Sequence, residues 1–330
     1  MERGFDLWAN PSSPHAEGRR ARAALEDARE RIRRALGWGG EVIFTSGASE
    51  AAELALGHAK AGARLVSAVE HDAVLKAALD AERLPVLNDG QLDLQVLQEA
   101  VDRERPLVAV QQVNSETGNR QAVDLIHKYV SDAGGLLLSD AAQSAGKLTL
   151  LPCDMAIVSA HKFGGPIGVG ALLVKDFAML DPTGGQERGY RRGTENLPGV
   201  MGMAAVLEAC GDTWLDPAIL EPLDSLAQEC RNLGGTWLSD RLSDPTPYIC
   251  AIAMPKMSGS AQVMRFDMAG ISVSQGSACS SGTMKTSHVL RAMQVEPDVA
   301  ERTIRASFGW NTTLEEVERF CEVWVDLAKQ

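Results

Sequence analysis

The sequence predicts an α/β fold, a mostly parallel central sheet covered by helices, followed by a smaller α+β unit. Three observations carry that expectation. Short apolar runs alternate with helix-periodic segments between Glu41 and Val174, the pattern of a parallel sheet with crossover helices. Two of the runs, Leu136–Ser139 and Ala156–Val158, end abruptly in polar constellations, as buried strands bounded by turn formers do. Beyond about residue 205 helical stretches lead to a few shorter strands instead.

Taken in order, residues 18–36 place Ala21, Leu25, Ala28, Ile32 and Ala35 on one helical face, with arginines and glutamates opposite. Gly39-Gly40 then leads into a strand at 41–44. Helices are predicted near 49–60, 73–82, 94–104 and 123–133, and strands at 64–69, 107–113, 136–139, 156–159 and 171–174. Further on, helices are expected at 206–214 and 220–233, with strands at 248–253, 271–274 and 303–308. The capping box Thr313-Leu-Glu-Glu316 opens a final helix that lines up Val317, Phe320, Trp324 and Leu327. The division expected is a large domain over 1–205 and a small α+β domain over 206–330.

A chain of 330 residues with 45% hydrophobic content buries a full core. Its net charge of −12 is spread rather than blocked, which argues against nucleic acid or an anionic membrane as the main partner. The N-terminus lacks the order of a signal peptide, and no apolar run approaches the roughly 20 residues of a membrane span. The expected setting is the cytoplasm. The six cysteines include no Cys-x-x-Cys pair and no histidine spacing suited to a metal. Five of them sit in apolar or helical contexts and read as small buried hydrophobes. Cys279 differs, lying in Ser274-Gln-Gly-Ser-Ala-Cys-Ser-Ser-Gly282, which reads as an exposed loop.

The chemistry concentrates between Gly135 and Lys162. One apolar run delivers Asp140-Ala-Ala-Gln143 and the next delivers Ser159-Ala-His-Lys162. Ligands of open α/β sheets bind at the carboxyl ends of strands, so a carboxylate and a lysine arrive at neighbouring places. Pyridoxal phosphate uses that pair, a lysine for a Schiff base and an acid for the pyridine nitrogen. Asp140 would equally serve to cap or turn the chain after its strand. The turn Phe44-Thr-Ser-Gly-Ala-Ser49-Glu50 suits a phosphate at a helix start, or a plain N-cap by Ser46 or Ser49. A desolvated Lys162 would have its pKa lowered toward the neutral, nucleophilic amine. His71, in Val69-Glu-His-Asp72, reads as a core histidine or as part of this site.

These segments resemble a known family. Asn10-Pro-Ser-Ser-Pro-His15, Thr45-Ser-Gly-Ala-Ser-Glu50, Glu70-His71, Val113-Asn-Ser-Glu-Thr-Gly118 and Asp140-Ala-Ala-Gln143 stand in the order of the cysteine desulfurases, class V of the fold-type I pyridoxal-phosphate enzymes. Ser159-Ala-His-Lys162, Gly184-Gly-Gln-Glu-Arg-Gly189, Arg192-Gly-Thr-Glu-Asn196, Gly276-Ser-Ala-Cys-Ser-Ser281 and Ile304-Arg305 continue it. The resemblance implies conversion of L-cysteine to L-alanine with sulfur passing to Cys279 as a persulfide, for iron–sulfur cluster assembly or thiolation. It implies that Lys162 carries the cofactor as a Schiff base, Asp140 pairs with the pyridine nitrogen, His71 stacks on the ring and Gln143 bonds the ring oxygen. It implies that Ala48, Ser49, Ser159 and His161 hold the phosphate, with Thr194 reaching the partner subunit's cofactor in a homodimer. Asn114 and Arg305 would take the substrate carboxylate, and His71 is also a candidate proton acceptor for the Cys279 thiol.

The 26 positions from Cys279 to Arg305 resemble the subgroup with a long loop. Ser49 stands where threonine is usual and Ser115 where asparagine is common. The family's N-terminal Tyr-Leu-Asp segment has no counterpart ahead of Asn10-Pro11, which bears on pocket closure and dimer geometry. Selenocysteine lyase, or another lyase or transferase on the same cofactor, is the alternative enzyme reading. A truncated, non-catalytic scaffold is the alternative outside enzymes.

Overall fold

A computed structural model describes residues 1–7, 9–211, 214–276 and 287–330. Its centre is a seven-stranded sheet made of β1 (Glu41–Thr45), β2 (Arg64–Ser67), β3 (Glu82–Leu84), β4 (Leu107–Gln111), β5 (Leu136–Asp140), β6 (Met155–Ser159) and β7 (Gly170–Val174). The strand order is β1-β7-β6-β5-β4-β2-β3. Only β7 runs antiparallel to its neighbours, β1 and β6. This is the predicted mostly parallel α/β fold.

Both faces of the sheet are covered, so the strands read as continuous apolar runs whose side chains alternate between two cores. Val42 and Phe44 of β1 and Ala156 and Val158 of β6 face the core made with the helices Ala16–Ala35 and Leu197–Cys210. Ile43, Met155 and Ile157 face the other core, under the helix Ala48–His58. Among the described residues no helix is long and apolar enough to cross a membrane.

The second sheet is antiparallel, in the order β10-β9-β8, with β8 (Thr236–Trp237), β9 (Ile249–Ala253) and β10 (Thr303–Ser307). It packs its own core of Ile252, Ile304, Phe266, Phe320 and Trp324. The final helix runs Leu314–Ala328, and its capping box forms as expected, Thr313 Oγ1 accepting from the Glu316 N–H at 3.3 Å.

Three expectations are corrected. The helix expected over 73–82 stops at Ala77, and Glu82–Leu84 instead adds a parallel edge strand to β2. The helix expected from 206 begins at Leu197, where Asn196 caps the Gly199 N–H at 3.1 Å and Pro198 occupies the first turn. The helix expected at 220–233 forms as Pro222–Asn232, with Pro222 in its first turn and the 3₁₀ turn Pro217–Leu220 just ahead of it. The strand expected at 271–274 is reduced to one bridge between Ser274 and Arg305.

Candidate active site

The sheet registers bring the polar constellations to one edge. Thr45 at the end of β1 and Ser159 at the end of β6 both pair with Gly170 at the start of β7. Asp140 pairs with Ile157 on one side and Gln111 on the other. The segments leaving β1, β2, β4, β5 and β6 therefore emerge together, where a ligand of an open α/β sheet binds.

At the β1 end, Gly47 is the N-cap residue of Ala48–His58 at φ 154°, a backbone region that side chains rarely adopt. It offers no side-chain cap, and neither Ser46 nor Ser49 takes that role, so the plain N-cap reading does not hold. The first-turn N–H groups, which a helix leaves without internal partners, face an open turn. A Cβ on Gly47 would stand 3.9 Å from Ser159 Oγ, inside the space between the two segments. Ser159 Oγ in turn shares a 3.0 Å hydrogen bond with His161 Nδ1. Glu50 secures the turn, accepting from the Ser46 N–H at 2.5 Å and from Arg191 Nε at 2.9 Å.

Asp140 is buried, and Oδ1 accepts from the Ala142 N–H at 2.8 Å. Burial raises its carboxyl pKa, against the opposing pull of that N–H, His71 and Lys162. His71 Nδ1 accepts from the Ala73 N–H at 3.1 Å and caps the helix Asp72–Ala77. Burial, ahead of every other influence, lowers its pKa, with Asp140 pulling up and Lys162 pushing down. The ring is thus neutral, with its proton on Nε2. Lys162 lies in the 3₁₀ turn Ala160–Phe163, which Gly164 ends at φ 91°. It is exposed among the described residues, whereas the sequence suggested a desolvated amine.

Asn114 is buried and organises its loop. Its Oδ1 accepts from the N–H groups of Glu116 and Thr117, both at 2.9 Å, and Nδ2 donates to the Val69 carbonyl at 3.1 Å. One Nδ2 hydrogen is left for another acceptor. Arg305, on β10, donates from Nη1 to the Ser115 carbonyl at 2.9 Å and so joins the same loop. Thr194 is exposed, and its carbonyl accepts from Arg191 Nη1 at 3.4 Å, linking it to the Glu50 turn.

Cys279 lies outside the described residues. The residues flanking that stretch converge on Glu116, whose Oε2 accepts from Ser287 Oγ at 2.5 Å and would stand 4.0 Å from a Cβ on Gly276. The other five cysteines all have thiols pushed up by burial, Cys153, Cys230 and Cys250 to about 12 and Cys321 to about 11.

In the sequence Glu70 stands only as part of a motif, with no role of its own, and nothing singles out Lys147, Trp214 or Tyr248. Glu70 is fully buried, with Oε1 accepting from the Gln111 N–H at 2.7 Å and Oε2 unpartnered among the described residues. Burial first, then Asp140, raises its pKa well above the usual carboxyl range. Lys147, Trp214 and Tyr248 gather beside Gln143.

Comparison with known proteins agrees with this arrangement. The aminotransferase class-V family profile matches residues 5–320. The chain belongs to that family. It is 37% identical to a cysteine desulfurase of Cereibacter sphaeroides, over 98% of this chain and 89% of that protein. It is 34% identical to cysteine desulfurase IscS 1 of Archaeoglobus fulgidus, over 96% of this chain and 88% of the relative. The X-ray structure of a NifS-like protein from Rickettsia africae superposes with a TM-score of 0.87 at 26% identity, covering all of this chain and 95% of that one.

Class-V enzymes of this kind use pyridoxal 5'-phosphate, and the residues present fit it. An uncapped helix start beside Ser159 suits a phosphate. A buried carboxyl, a neutral imidazole and an exposed lysine lie at the same sheet edge.

Proposed function

We propose that this protein is an L-cysteine desulfurase that passes the sulfur of cysteine to its own Cys279. The observation that carries the reading is the electrostatic cluster of Asp140, His71 and Lys162 at one sheet edge of a class-V fold. Pyridoxal phosphate supplies there an aldehyde for an amine and a ring that accepts electrons. Lys162 is the amine that holds it and that moves the proton at the substrate Cα. Asp140 would pair with the pyridine nitrogen, His71 would stack on the ring and Gln143 would bond the ring oxygen. Ala48, Ser49, Ser159 and His161 hold the phosphate.

Asn114 and Arg305 bind the substrate carboxylate, a planar anion that a guanidinium grips well. Cys279, as a thiolate, forms an S–S bond to the substrate sulfur as the substrate's C–S bond breaks. Alanine leaves, and the persulfide passes to an acceptor protein in iron–sulfur assembly or thiolation. The thiol proton is lost to solvent; His71, protonated on Nε2 and with Nδ1 accepting from the Ala73 N–H, does not take it.

We further propose a cytoplasmic homodimer with Thr194 reaching the partner's site. Glu195, beside Thr194, has both carboxylate oxygens buried without a partner among the described residues, and a second copy supplying a donor would satisfy it. The division into 1–205 and 206–330 is supported by the second sheet and its core, which lie within the later part, but the helix Leu197–Cys210 crosses the boundary and packs on the first core. Incubation with L-cysteine, with and without an added thiol, tests the function. Equal amounts of alanine and released sulfide are expected with thiol present, and absence of alanine contradicts the reading.

A further inference from the structure

Lys147 follows Gln143 by one helical turn's spacing, and its amine donates to Gln143 Oε1 at 3.2 Å. The same amine stands 4.7 Å from the Trp214 ring centroid and 5.1 Å from that of Tyr248. Those rings meet edge to face, with centroids 5.6 Å apart. The Tyr248 hydroxyl donates to the Gln143 carbonyl at 3.1 Å. Gln143 is therefore held twice, by its backbone through Tyr248 and by its carboxamide through Lys147. Two ring faces offset part of the hydration that the ammonium gives up.

An ammonium has donors only, so the carboxamide must turn Oε1 toward it. That leaves Nε2, which makes no hydrogen bond among the described residues, as the outward group. We infer that Lys147, boxed by Trp214 and Tyr248, is a positioning residue that locks the Gln143 carboxamide as a donor toward the ring oxygen of the cofactor. The inference rests on the reading of Gln143 as that oxygen's partner. Without the lock the carboxamide turns over freely and presents an oxygen to an oxygen. Burial and the neighbouring Lys162 lower the Lys147 pKa to about 7, with Cys210 opposing, so the one-way lock holds while the amine is charged and loosens above that pH, where a neutral amine also accepts. An arginine at this position stays charged at every accessible pH and keeps the lock; a methionine fills the box without a donor.

The test is a pH titration of the visible absorbance of the cofactor-loaded enzyme, whose midpoint reports how well the ring oxygen holds negative charge. A donor on that oxygen lowers the midpoint. Gln143→Ala is expected to raise it by about one pH unit, a tenfold change. Lys147→Met should raise it by a similar amount and move it no further in the Gln143→Ala background, and Lys147→Arg should sit at or below the wild-type midpoint, since it keeps its charge above pH ~7. A Lys147→Met shift that is absent, or that persists in full without Gln143, overturns the inference and leaves the role of Gln143 intact. An unshifted Gln143→Ala midpoint overturns that role and the inference with it.

Discussion

Arg305 on the small sheet donates to the carbonyl of Ser115, in the loop after β4 of the large one, at 2.9 Å. The bond fixes a guanidinium next to Asn114, which holds the same loop from within. On the proposed function, a substrate carboxylate bound between them would bridge the two sheets. The Arg305→Lys variant keeps the charge and loses the planar fork. Its KM for L-cysteine is expected to rise about tenfold or more, with a smaller fall in kcat, in steady-state assays. An unchanged KM would place the carboxylate elsewhere.

His71 has one duty read directly from its geometry and a second under the proposed function. Its Nδ1 caps the helix Asp72–Ala77 through the Ala73 N–H. His71→Ala should lose about 1 kcal/mol of stability with the cap, and His71→Asn should recover it. Both variants should lose about tenfold or more in kcat/KM, since neither restores an aromatic ring over the cofactor. Thermal melts beside activity assays separate the two effects. Full activity in His71→Asn would reduce the residue to a cap.

Glu70 predicts a pH-dependent stability. Its folded pKa is raised by burial, while the unfolded chain ionises near about 4.3. As pH rises past that value the unfolded state loses the proton first, so Glu70 increasingly favours unfolding until its raised folded pKa is passed. Glu70→Gln keeps an acceptor for the Gln111 N–H and removes the ionisation. The variant should melt like wild type near pH 4 and above it at pH 8. A constant difference between the two across that range would contradict a raised Glu70 pKa.

The fold was legible where burial is symmetric. Runs such as Met155–Ser159 are apolar throughout because both sheet faces are covered, and they end where Ser159 meets solvent-facing chemistry. The strand Glu82–Leu84 was not legible, being three residues long with two exposed charged ones, and it takes its conformation from pairing with β2. Asp140, His71 and Lys162 stood out because each follows an apolar run. Lys147 did not, since a lysine is ordinarily solvated, and the rings that enclose it come from Trp214 and Tyr248, far along the chain. Glu187 shows the converse. Its motif carries the family resemblance, yet the side chain is buried against Arg29 at 2.7 Å and the Phe44 N–H at 2.9 Å, fastening its loop to β1.

The central claim is that sulfur leaves cysteine for one thiol, Cys279. Burial raises the thiol pKa of the buried Cys153, Cys230 and Cys250 and, less completely, of the half-buried Cys210 and Cys321, which makes all five poorer nucleophiles. Peptide mass spectrometry of the enzyme after L-cysteine treatment without reductant measures this directly. One additional sulfur is predicted on the peptide containing Cys279 and none on the others, with Cys279→Ser binding the cofactor normally and producing no alanine. Alanine formed by Cys279→Ser at a rate comparable to wild type, or sulfur found on another cysteine, would contradict the account.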